Sequence, residues 1–162
     1  RLALVIGNAE YRHLSALGRA GADADAVSRE LESAGFKVSL RHDVPFRSMG
    51  DTLEAFFDSV NEGDELVVFY VGHGVHSERG LWMLPADFEG DTQSQVEGMS
   101  YPVNALLDRL ARQRPRIALV IVDASRDNPM RVRGKLVAAA GLQSGFDVAK
   151  GQMLILSTSR NQ

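Results

Sequence analysis

Two polar breaks in otherwise apolar runs hold the residue types that nucleophilic hydrolysis requires. Leu66-Val67-Val68-Phe69-Tyr70-Val71 ends in Gly72-His73-Gly74, and the run from Ile117 to Val122 opens into Asp123-Ala124-Ser125-Arg126-Asp127-Asn128-Pro129. Histidine can act as a general base near neutral pH, and a short hydroxyl or thiol side chain becomes a nucleophile once a base takes its proton. Each break also has a bland explanation. His73 alone is a loop histidine, and Asp123 with Ser125 are ordinary turn residues that cap backbone N–H groups. The glycines beside His73 predict a sharp turn that leaves the imidazole exposed at a strand tip. His13, His42 and His76 lack that setting and read as surface residues.

These residues need elements to position them. Strand-like runs cover Leu2–Ile6, Phe36–Arg41, Leu66–Val71, Ile117–Val122 and Met153–Ser157. Between them, Ala22, Ala26, Val27, Leu31 and Ala34 form a helical stripe stopped by Gly35. Met49, Leu53, Phe56, Phe57 and Val60 form a second, stopped near Gly63, and Val103, Leu106, Leu107 and Leu110 a third, closed by Pro115. Strands alternating with helices predict a parallel sheet covered on both faces. Leu81–Leu84 reads as a short strand or hairpin followed by an irregular loop to Tyr101. Arg131 to Lys150 has weak periodicity and reads as mobile. Ligands bind at the carboxyl edge of such sheets, where His73 and Ser125 both fall.

Composition narrows the partners. The 162 residues suit one domain with its own core. A net charge of −3 without a basic stripe argues against nucleic acid, and no apolar run is long enough to span a membrane. The chain opens directly on a strand, which predicts flanking sequence ahead of Arg1. Cysteine is absent, so nothing signals a redox compartment; localisation and oligomeric state carry no signal either.

In combination, the motifs resemble the caspase-like cysteine peptidases, and in particular their bacterial metacaspase (orthocaspase) branch. The matching stretches are Leu4-Val5-Ile6-Gly7-Asn8 with Tyr11, Phe69-Tyr70-Val71-Gly72-His73-Gly74, Leu84-Pro85-Ala86-Asp87, and Val122-Asp123-Ala124-Ser125-Arg126-Asp127-Asn128-Pro129. They occur in order along nearly the whole chain, and His73 precedes Ser125 by about the fifty residues that separate the caspase His and Cys. The resemblance implies a single α/β domain over residues 1–162. That domain is a caspase-like three-layer sandwich: a mostly parallel central sheet, its five strands in the order second-first-third-fourth-fifth, with helices on both faces. It implies His73 as general base, the Ser125 position as nucleophile, and backbone N–H groups near Gly74 and Ser125 as the oxyanion hole. It also implies peptide or protein substrates, and a small-subunit portion that relatives carry beyond the point where this chain stops.

The departure is serine where the family has cysteine. A thiol with pKa ~8.5 ionises near neutrality, whereas an alcohol resembles water at pKa ~15.7. The gap of about seven units is worth roughly 10 kcal/mol of added activation. The expectation is therefore a peptidase domain with little or no activity as written. The serine is either a designed replacement that silences the enzyme, which the otherwise intact motif favours, or the mark of a natural pseudopeptidase that binds peptides or partners. A true serine hydrolase using Ser125 ranks last.

Two carboxylates bear on specificity. Asp123 stands two residues before the nucleophile position and matches one pocket acid of the metacaspases; Asp23, at the start of the first helix, corresponds to the other, although an Asp there is also an ordinary N-cap. Together they imply Arg or Lys at P1. Arg19, if turned into the pocket, would argue for acidic substrates. Asp87, Glu89 and Asp91 form an acidic loop, and many metacaspases take calcium through such carboxylates. Here the spacing follows no EF-hand, and exposed loop acids are ordinarily only solvated. No metal or cofactor is assigned.

Overall fold

The structure is a computed structural model that describes residues 1–77, 79–125, 146 and 148–157, with Ser125 described by its backbone. The motif residues Arg126, Asp127, Asn128 and Pro129, and most of Arg131 to Lys150, lie outside the described residues.

β-Branched and aliphatic runs form the five parallel strands β1 (Leu2–Gly7), β2 (Lys37–His42), β3 (Glu65–Ser77), β6 (Ile117–Ser125) and β7 (Gln152–Ser157). They lie side by side as β2-β1-β3-β6-β7, which is the expected order. The far end of β3 pairs antiparallel with β4 (Gly80–Met83), and β4 pairs with β5 (Tyr101–Pro102). The predicted short hairpin is therefore real, and it extends the same sheet.

Helices cover both faces. On one, α2 (Phe46–Asp58) and α4 (Val103–Arg112) set Met49, Leu53, Phe57, Leu106, Leu107 and Leu110 against alternate residues of the strands, among them Leu4, Ile6, Val68, Tyr70, Val120 and Val122. Each such side chain, taken fully out of water, contributes roughly 2 kcal/mol. On the other face α1 (Ala20–Ser33) covers Val5, Phe69 and Val71. It ends in a left-handed Gly35 (φ +82°), with Gly35 N–H donating to the Glu32 carbonyl and Phe36 N–H to that of Leu31. This paired closure is the Schellman motif.

Three expectations need correction. The buried side of α1 is Ala20, Ala24 and Ser28, while Ala22 and Ala26 are exposed. The helix is turned so that small residues meet the sheet, because a Cβ on Gly7 would lie only 2.5 Å from that of Ala24. The loop before Tyr101 contains a helix, α3 (Gln93–Met99), started by a capping box in which Thr92 and Gln95 satisfy each other's backbone N–H. Lastly, β3 does not stop at Val71 but runs on to Ser77. Among the described residues no helix is long and apolar enough to cross a membrane.

Candidate active site

Register decides what the two motifs can do together. The β3–β6 ladder runs from Glu65 opposite Ile117 through Val71 opposite Asp123 and Gly72 opposite Ala124 to His73 opposite Ser125. Paired strands lie about 4.8 Å apart, so the backbones of His73 and Ser125 are neighbours at the carboxyl edge. A slip of one residue would send them to opposite faces.

His73 is not at an exposed tip. It lies within β3 and is fully buried. Its flanking glycines have no left-handed backbone; they are there for close approach. A Cβ on Gly72 would lie 2.6 Å from the Tyr70 hydroxyl and 2.7 Å from that of Tyr11, and one on Gly74 would lie 2.7 Å from the Cβ of Ala124. Absent side chains, rather than backbone freedom, make the glycines necessary.

The imidazole is oriented by a backbone group. Nε2 of His73 is 2.8 Å from the Ser15 carbonyl oxygen. A carbonyl only accepts, so Nε2 carries a proton, and in the neutral ring Nδ1 is the basic nitrogen. The Tyr11 ring stands edge-on to the imidazole, centroids 4.5 Å apart.

Two phenols hold the His73 backbone. Its N–H donates to the Tyr11 hydroxyl at 2.8 Å, and its carbonyl accepts from Tyr70 at 2.7 Å and from Leu84 N–H at 3.1 Å. The Leu84 carbonyl accepts from Asn8 Nδ2 at 3.0 Å, with both phenols within reach at 2.9 and 3.3 Å. Burial pushes the Tyr11 phenol up from 10.0 to about 12 and that of Tyr70 well above its ordinary value, so both are neutral donors at physiological pH. The phenols and the Asn8 amide thus replace strand hydrogen bonds where β1 has ended and β4 begins.

Asp123 stands two residues after Ile121 in β6 and so shares its α1 face of the sheet, and Asp23 lies in the first turn of α1; each is partly buried. The fold therefore brings both acids to the same side of the sheet. Arg19 is exposed at the N-cap of α1. Asp87 is occupied structurally, its Oδ1 accepting the Phe46 N–H at 2.7 Å to cap α2. Among the described residues no group of three or more His, Asp or Glu side chains is placed to hold a metal ion. His13 and His42 are exposed, the latter 2.9 Å from Asp25, while His76 is half-buried in β3 and packs on Phe146.

Ser15 and the linked roles of Tyr11, Tyr70 and Asn8 were not visible as site features in the sequence. A backbone carbonyl leaves no side-chain signature, and buried tyrosines ordinarily read as core.

A search of curated proteins returns no match. Among solved structures, protein GSU0716 from Geobacter sulfurreducens superposes with a TM-score of 0.53 at 19% identity, over 76% of this chain and 50% of that one. The likeness speaks to fold, and this chain spans about half the length of that protein. The caspase domain family model matches residues 1–161. With that match, and with the described residues forming a seven-stranded sheet between layers of helices, the chain belongs to the caspase-domain family of cysteine peptidases.

Proposed function

We propose that this domain is built as a metacaspase-type endopeptidase that cleaves after Arg or Lys, and that Ser125 in place of cysteine leaves it with little or no activity. The observation that carries the reading is the pairing of His73 with Ser125 at the end of the β3–β6 ladder, with His73 Nε2 on the Ser15 carbonyl. In the cysteine form, Nδ1 of His73 takes the thiol proton, the thiolate attacks the scissile carbonyl, and backbone N–H groups near Gly74 and Ser125 receive the oxyanion. The same imidazole then protonates the leaving amine, and water releases the acyl group. Asp123 and Asp23 favour a cationic P1 side chain.

With serine the same geometry falls short. The orienting group is a neutral carbonyl, whereas serine hydrolases use a buried carboxylate that stabilises the imidazolium. The serine itself favours a second reading, a pseudopeptidase that binds peptides or partner domains without cutting them.

Ser125→Cys assayed on fluorogenic peptides ending in Arg or Lys separates the two. Cleavage that disappears on His73→Ala supports the enzyme, and a folded but inactive Ser125→Cys protein supports the scaffold. The serine-bearing chain should not label with a fluorophosphonate probe.

A further inference from the structure

We propose that Tyr11 is a positioning residue for His73, resting on the peptidase reading above and giving the loop between β1 and α1 control of the base. β1 makes its last rung to β3 at Asn8 N–H to the Val71 carbonyl, 2.9 Å, and β4 first pairs at Gly74 opposite Met83. His73 lies between these rungs, so its N–H turns to a side chain, the Tyr11 phenol at 2.8 Å. The Tyr11 ring meets the imidazole edge-on at 4.5 Å. Four residues on, the same loop offers the Ser15 carbonyl to Nε2 at 2.8 Å. Loop placement, ring orientation and tautomer are therefore set together, and Tyr11 joins them. It touches the imidazole and is itself buried, so it acts through His73.

Tyr11→Phe keeps the ring and removes the acceptor. In the chain carrying Ser125, the His73 ring-nitrogen NMR shifts should then depart from a single Nε2–H tautomer, and its amide should exchange about tenfold faster or more. With Ser125→Cys, kcat on an Arg-terminated peptide should fall about tenfold with KM little changed. Unchanged ring-nitrogen shifts in a folded Tyr11→Phe protein overturn the proposal. Should that variant not fold, a monofluorinated tyrosine at position 11 retains the ring and weakens the oxygen as an acceptor; unmoved His73 shifts there overturn it equally. The NMR measurement uses the serine-bearing chain, so an inactive Ser125→Cys protein would sink the peptidase reading while the shifts alone decide the role of Tyr11.

Discussion

The methyl group of Ala124 fills the space that a side chain at position 74 would need, with a Cβ built on Gly74 only 2.7 Å away. The two motifs that carry His73 and Ser125 thus interlock one residue beyond His73 and one before Ser125. Gly74→Ala should destabilise the fold by about 1–3 kcal/mol through overpacking. Ala124→Gly combined with it should recover much of that loss. Denaturant midpoints of the two single variants and the pair test this as a double-mutant cycle, and strict additivity would contradict the contact.

Asn8 joins three elements from a fully buried position. Its Nδ2 donates to the Leu84 carbonyl at 3.0 Å and its Oδ1 accepts the Val44 N–H at 2.9 Å. Asn8→Ala leaves a buried N–H without an acceptor, so a loss of about 3 kcal/mol is expected in chemical denaturation. Asn8→Asp should not rescue it fully, because a carboxylate cannot donate to Leu84.

These contacts explain what could be read from sequence and what could not. The strands and the helical stripes of α2 and α4 follow from apolar periodicity, which reports which residues seek the core, whereas the strand order came only with the family resemblance. Periodicity does not report how closely two backbones approach. For that reason the glycines beside His73 read as a turn although they accommodate Tyr11, Tyr70 and Ala124. The exposed alanines of α1 likewise entered its predicted apolar stripe, since Ala is nearly indifferent to burial and the close approach of Ala24 to Gly7 is not written in the periodicity. Thr92 and Gln95 did carry a legible capping-box signal for α3.

Asp123 provides a test of the proposed specificity that does not involve His73. In the Ser125→Cys protein, Asp123→Asn should lower kcat/KM for an Arg-terminated peptide by about tenfold to a hundredfold, the scale of one charge-assisted hydrogen bond. Peptides ending in a neutral residue should change little. Equal losses on both substrates would mean that Asp123 supports the strand end rather than the pocket. Asp23→Asn, from the first turn of α1, should act in the same direction.

Alkaline pH tests the phenol pair. Burial raises Tyr11 from 10.0 in the unfolded reference to about 12 in the fold. Between those values the folded chain holds a proton that the unfolded chain has lost, so stability is complete below pH 10 and declines as pH rises toward 12. At about 1.36 kcal/mol per pH unit, the interval amounts to roughly 3 kcal/mol. Tyr70 shifts in the same direction, also through burial, and steepens the decline. Tyr11→Phe should be less stable than the parent at neutral pH yet lose stability less steeply above pH 10. Denaturant midpoints across this range, followed with phenolate absorbance, give both slopes. Identical slopes in the two proteins would show that the Tyr11 phenol ionises as freely folded as unfolded, and that the clamp on His73 is looser than the 2.8 Å contact indicates.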